Sequence, residues 1–172
     1  MSFTRIEKLY FFTSTIVDWN TLLLEDKFKQ VILDSLNHFS NAKCDIHAFV
    51  IMPNHIHLIL SLCEGEKYEF QRDFLKFTSQ QILKFMRVYM AEKIYLYKSK
   101  NKDRNHQIWK SKPFWVELHD EKQFHIKLNY IHNNPVSGKW KLSRTDLTYK
   151  WSSLRFYCGL KNDYLFLKHF EF

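Results

Sequence analysis

The chain switches between two hydrophobic periods, and each switch marks an element. Lys8 to Val17 is aromatic and β-branched, the composition of a first strand. Phe28, Val31, Ile32, Ser35, Leu36 and Phe39 recur at helical spacing and predict an amphipathic helix from Leu23 to Phe39. Cys44 to Ile51 and His55 to Leu62 are the next two strands, joined by the turn signal Pro53-Asn54. Glu64-Gly65-Glu66 ends the second of them. A long helical stretch follows from about Tyr68 to Tyr97, with Phe70, Phe74, Phe77, Ile82, Phe85 and Tyr89 as its core-facing stripe. Phe114 to Leu118 reads as a short strand. Asp120 then looks like an N-cap with Gln123 at the capping-box position. That last helix runs to Asn133 or Asn134, where Pro135 stops it, because the residue before proline is disfavoured in the α region. The aromatic tail beyond Gly138, with Trp140, Trp151, Phe156 and Tyr157, is expected to cover the core as a strand or short helices.

The order strand–helix–strand–strand–helix–strand with a closing helix predicts an α+β fold. An antiparallel sheet would carry helices on one face, in the ferredoxin-like manner. At 172 residues, 45% of them hydrophobic and 17% aromatic, a single domain over 1–172 is the simplest organisation. Only 3 glycines and 3 prolines leave little room for linkers. The formal net charge of +8 favours a polyanionic partner, although charge alone does not separate nucleic acid from a membrane surface or plain solubility. Cys44, Cys63 and Cys158 are odd in number, widely spaced and without a CxxC pair, which points to a reducing compartment. With no signal-peptide run and no stretch of eighteen apolar residues, the expectation is a cytoplasmic protein that does not enter a membrane.

Within that frame two stretches carry chemistry. His55 and His57 alternate with Ile56, so on a strand their imidazoles share one face, half of a metal site. A lone His-x-His pair is more often structural. On the last helix, Phe124, Leu128 and Ile131 should pack on the sheet, while Gln123, Lys127, Tyr130 and Asn134 form a second stripe beside them. Tyr130 and Asn134 are four apart, so the phenol and the amide point together. If this helix packs beside the histidine strand, a hard cation there polarises a phosphate and the phenol becomes a usable nucleophile. Imidazole suits zinc, iron and copper better than magnesium, so the donors do not name the metal. Lys76, Lys84 and Arg87 lie off the apolar stripe of the long helix and read equally as a solvated face or a nucleic-acid contact. Residues 98–112 hold Lys98, Lys100, Lys102, Arg104, Lys110 and Lys112 against a single Asp103. Trp109 in that run is either an anchor to the core, the commoner case, or a stacking surface for an unpaired base.

These residues resemble a known family. Met52-Pro53-Asn54-His55-Ile56-His57-Leu58 is similar to the His-hydrophobic-His (HUH) motif of the single-tyrosine transposases. Tyr130-Ile131-His132-Asn133-Asn134-Pro135-Val136, with Gly138, resembles the tyrosine segment of their REP-associated branch. Tyr10-Phe11-Phe12-Thr13-Ser14-Thr15 and Trp151-Ser152-Ser153 resemble its first strand and C-terminal signature. The resemblance implies a ferredoxin-like or RRM-like HUH nuclease fold. It also implies an enzyme that binds hairpin-forming single-stranded DNA and cuts it with Mg²⁺ or Mn²⁺, leaving a 5′-phosphotyrosine and a free 3′-OH. By position, Tyr130 is then the nucleophile and His55, His57 and Asn134 are the metal ligands. Lys127, one turn before Tyr130, would lower the phenol's pKa or contact phosphate. The family implies a monomer with its site in cis or a homodimer sharing sites in trans. Two alternatives stay open: a domesticated hairpin-DNA binder without chemistry, and a metal-dependent phosphoesterase acting on RNA or a small molecule.

Overall fold

The computed structural model describes residues 7–161 and 164–172. Its frame is a four-stranded sheet of β1 (Glu7–Thr15), β2 (Asp45–Met52), β3 (His55–Cys63) and β4 (Phe114–Leu118), in the order β2-β3-β1-β4 with every neighbouring pair antiparallel. This is the predicted α+β arrangement. The turn at Pro53-Asn54 is tight enough to set β2 and β3 in hairpin register, with Met52 opposite His55 and Val50 opposite His57. On the other side of β3, Thr13 lies opposite His57 and Thr15 opposite His55.

Three long helices cover the sheet. α1 (Asp26–Ala42) and α2 (Lys67–Tyr89) pack against each other on one face, where Phe12 meets Phe70 and Phe39 meets both Phe70 and Phe74. α3 (Glu121–Asn133) lies on the other face, where Phe11 meets Tyr130. The expectation of helices on one face therefore holds for α1 and α2 and fails for α3. The reason lies in the central strand. Leu9, Tyr10, Phe11 and Phe12 are consecutive and all buried, so β1 is apolar on both faces and both need a cover. Each large side chain fully buried there contributes about 1.5–3 kcal/mol.

Two predicted boundaries shift. The helix expected to reach Tyr97 ends at Tyr89, since Met90 leaves helical geometry (φ −150°, ψ 39°) and Ala91–Tyr97 continues as 3-10 turns. Its buried line is Phe70, Phe74, Thr78, Ile82 and Met86, and Tyr89 at the end of the expected stripe is exposed. The tail has a definite task. The Ile51 N–H donates to the Trp151 carbonyl (2.9 Å) and the Ser153 N–H to the Phe49 carbonyl (3.0 Å). The Lys168 N–H donates to the Ile46 carbonyl at 3.0 Å. These contacts cover the outer edge of β2, which would otherwise present unpaired backbone groups. A single turn, α4 (Leu154–Tyr157), follows Ser153. Among the described residues, no helix is long and apolar enough to cross a membrane.

Candidate active site

The alternation of β3 places His55 and His57 on one face, as expected, with ring centroids 4.7 Å apart. This is the α3 face. His57 is only 4% exposed and stacks on Phe11 (5.3 Å, 23°). Its Nδ1 is 2.7 Å from the Thr13 hydroxyl, the residue opposite it in register. Its Nε2 is buried and has no partner, a condition shared among the described residues by Ser14 Oγ alone. Other buried histidines are treated differently. His47 bonds the Lys168 carbonyl through Nδ1 (2.9 Å) and the Ser61 hydroxyl through Nε2 (3.0 Å), and His132 Nε2 meets Ser153 Oγ at 2.9 Å. A buried ring nitrogen left bare costs about 1–3 kcal/mol, so the exception at His57 calls for a ligand. In the tautomer where Thr13 accepts from Nδ1–H, the one a metal ligand needs, the Nε2 lone pair is turned towards the site.

His55 is held by amides. Its Nδ1 is 2.7 Å from Asn54 Oδ1. An amide oxygen can only accept, so Nδ1 carries the proton. Asn54 is itself buried, and its Nδ2 donates to the Trp19 carbonyl at 3.4 Å. Burial pulls His55 down to about 4, and the nearby Asn134 side chain works in the opposite direction. Burial likewise holds His57 well below its ordinary value, and the charges of His55 and Lys127 add to that. Both rings are neutral at pH 7, the state a metal ligand needs. Among the described residues no group of three or more His, Cys, Asp or Glu is placed to hold a metal. A cation here would therefore draw its third protein donor from the Asn134 amide. The bare Nε2 and the neutral pair fit a divalent cation.

α3 delivers the rest. Asp120 caps it by accepting from the Gln123 N–H (2.7 Å), and Gln123 Oε1 reaches back to the His119 N–H (3.2 Å), one residue earlier than a capping box. Phe124, Leu128 and Ile131 are buried, which turns the neighbouring stripe to the margin of the packed face. Tyr130 is 50% exposed, with its ring 5.1 Å from that of His57 and 6.0 Å from Phe11. Asn134 does not leave helical geometry despite preceding Pro135: it sits at φ −55°, ψ −44°, with its N–H bonded to the Ile131 carbonyl. That bond keeps the amide one turn below the phenol. The Lys127 ammonium lies 4.7 Å from the centre of the Phe11 ring and 5.8 Å from that of Tyr130. His132, on the buried side, ties the helix to Ser153, whose Oγ also accepts the Phe49 N–H at 3.0 Å. The structure thus brings together His55, His57, Lys127, Tyr130 and Asn134.

The other cations are placed differently. Lys76, Lys84 and Arg87 are exposed on α2, whose packed side belongs to the opposite face of the sheet from Tyr130. Lys98, Lys100, Lys102, Arg104 and Lys112 are exposed, and Arg104 pairs with Asp103 at 2.7 Å. Their segment folds back on itself through Ser99 N–H to Asn105 O and Gln107 N–H to Tyr97 O. It forms a cleft with α2 lined by Lys76, Arg104, His106 and Lys110. Trp109 is 4% exposed and donates its indole N–H to Thr78 Oγ1 (2.9 Å). It is an anchor, and the stacking role is corrected, because its ring is packed in the core. The segment then returns to the histidine end of the sheet, where the Lys110 N–H donates to the Thr15 carbonyl at 2.8 Å. Thr13 and Asn54 carry no chemical signature of their own in the sequence. Thr13, two residues from Phe11, shares its strand face, and only the β1–β3 register sets it against His57.

No family model matches the chain. The chain is 32% identical over 138 residues to a protein of Haemophilus influenzae described as a REP-associated tyrosine transposase, covering 74% of this chain and 70% of that one. Its fold matches a solved structure of a REP-associated tyrosine transposase bound to a REP hairpin, with TM-score 0.62 and 18% identity over 100% of this chain and 93% of the other. A transposase structure from Deinococcus radiodurans overlaps more loosely, at TM-score 0.48 and 14% identity over 77% of this chain and 97% of that one.

Proposed function

Because this chain belongs to the REP-associated tyrosine transposases, an enzyme family, we propose that it cuts and rejoins hairpin-bearing single-stranded DNA through Tyr130. The observation that carries the proposal is the half-exposed Tyr130 ring set 5.1 Å from a buried His57 whose Nε2 has no partner. The related transposase of the same fold, bound to a REP hairpin, supports a hairpin substrate.

His55, His57 and Asn134 would hold a divalent cation, Mg²⁺ or Mn²⁺, which when bound supplies charge neutralisation and polarisation of a phosphate oxygen. The protein supplies the rest. Tyr130 Oη attacks the phosphorus and the P–O3′ bond breaks. The departing oxygen takes up a proton as a 3′-OH, and the half-exposed phenol gives its proton to solvent. The DNA 5′ phosphate is then esterified to Tyr130. Rejoining reverses the bonds: a 3′-OH attacks that phosphate, the phenolic oxygen leaves, and it is reprotonated. Lys127 brings a positive charge to the same margin, where a phosphate would sit.

The test is incubation with hairpin-bearing single-stranded DNA and Mg²⁺ or Mn²⁺, followed by a denaturing gel. Cleavage and a covalent protein–DNA adduct are expected. Cleavage persisting in Tyr130→Phe sinks the nucleophile, and cleavage persisting in His55→Ala/His57→Ala sinks the metal site. Tight binding without any adduct would leave a hairpin binder.

A further inference from the structure

Beside the site stands an aromatic surface that the reaction does not use. Trp19 follows β1 and is 59% exposed. Asp18 and Trp19 are both in the left-handed region (φ 52° and 58°), which side chains with a Cβ rarely adopt. Such a conformation persists only where the surroundings over-determine it. Here they do. The Trp19 N–H donates to the Ile16 carbonyl (3.1 Å), and its own carbonyl accepts from Asn54 Nδ2 (3.4 Å). The same Asn54 holds His55 through its other amide atom (2.7 Å). The backbone of an exposed tryptophan is thus tied to a residue that orients the candidate metal ligand. Lys110 completes the surface, its ammonium 3.7 Å from the centre of the Trp19 ring. Lys110 is held by its own N–H bond to Thr15, the residue opposite His55.

We propose that Trp19 and Lys110 form a platform for an unpaired nucleotide adjoining the cleavage site, with the base stacked on the indole and its phosphate drawn by the ammonium. This rests on the DNA-cutting function proposed above and deepens it by naming where the single-stranded part of the substrate lies. Stacking suits the site because every base has a π-face, and a cation beside the ring answers the backbone charge. Asp18 is also exposed and opposes a phosphate there, so the charge attraction comes from Lys110.

The test uses the full chain with Tyr130→Phe, which keeps the DNA intact. Affinity is measured by fluorescence anisotropy for a hairpin carrying about six unpaired nucleotides and for the same hairpin with none. Trp19→Ala should weaken binding of the flanked hairpin on the order of tenfold to a hundredfold and leave the blunt hairpin unchanged. Trp19→Phe should lose less. Quenching of tryptophan emission by the flanked hairpin should largely vanish in Trp19→Phe. Unchanged affinity of Trp19→Ala for the flanked hairpin overturns the platform while leaving the cleavage chemistry standing. Absence of binding to either DNA by the parent protein overturns both. Cleavage by the parent Tyr130→Phe protein, with the Trp19 effect intact, overturns the nucleophile alone.

Discussion

Thr13→Val is the sharpest probe of the site because it removes one bond and little else. Valine is nearly isosteric with threonine and keeps the β-branched shape a strand prefers. What disappears is the hydroxyl 2.7 Å from His57 Nδ1. That ring already carries a bare Nε2, so the variant leaves both nitrogens without partners. The buried ring nitrogen left without a partner costs about 1–3 kcal/mol. For a chain of this size each kcal/mol lowers Tm by roughly 2–4 °C, so a fall of about 2–12 °C is expected without metal. Loss of the partner that orients a metal-binding imidazole typically costs about 10–100-fold in affinity. The assay is thermal unfolding across a Mn²⁺ titration, alongside the Mn²⁺ dependence of cleavage. The wild type should gain stability with Mn²⁺ as the cation binds the folded state. The variant should need about 10–100-fold more Mn²⁺ for the same gain. A variant with the wild-type Mn²⁺ midpoint would refute the assignment of His57 as a ligand oriented by Thr13.

Three further outcomes are expected. Lys84→Ala/Arg87→Ala on α2 should leave single-stranded DNA affinity within about twofold, whereas Lys127→Ala should reduce the salt slope by about 0.7 for the lost phosphate contact; equal effects would contradict the placement of the DNA on the α3 face. Trp109→Phe should cost about 1–3 kcal/mol in urea unfolding through its lost bond to Thr78 and the space vacated, with DNA affinity unchanged; weaker binding by a fully folded variant would restore a DNA contact there. His132 is held near 4 by burial against an ordinary 6.5, so the unfolded chain binds more protons between those values. The stability due to its neutral form is complete above about pH 6.5 and falls as pH drops, by about 2 kcal/mol at pH 5. His132→Gln should flatten that part of the urea-midpoint curve, and an unaltered slope would show that His132 is not held neutral.

Particular residues show what local pattern can reveal. The shared face of His55 and His57 follows from two-residue alternation, and the pairing of Tyr130 with Asn134 from four-residue spacing. Both are properties of a single element. The side of the sheet that α3 covers is not, since a helix's apolar stripe requires a partner without saying which face supplies it. Phe11 and Phe12, buried in opposite directions, carried that information, but only once β1 is known to be central. The two tryptophans show the same limit. Trp109 in a basic run reads as either a core anchor, the commoner case, or a stacking surface, and only its bond to Thr78 and its bridge to Ile16 decide for the anchor. Trp19 has no distinguishing neighbours, and its exposure follows from a left-handed turn fixed by Asn54. The end of α2 at Tyr89 is hidden because Ile94 and Tyr97 keep apolar residues coming after the backbone has changed.

The tie from His132 through Ser153 to Phe49 has a consequence for descent. It holds the helix that carries Tyr130 against β2 without touching the site, so it is required by any copy that must keep this shape. Thr13 and the bare face of His57 would matter only to a copy that uses them to bind a metal. In a lineage kept for hairpin binding alone, substitutions would accumulate first at Thr13, His57 and Tyr130, while His132 and Ser153 stayed fixed. In a lineage still moving DNA, the two sets would be lost or kept together.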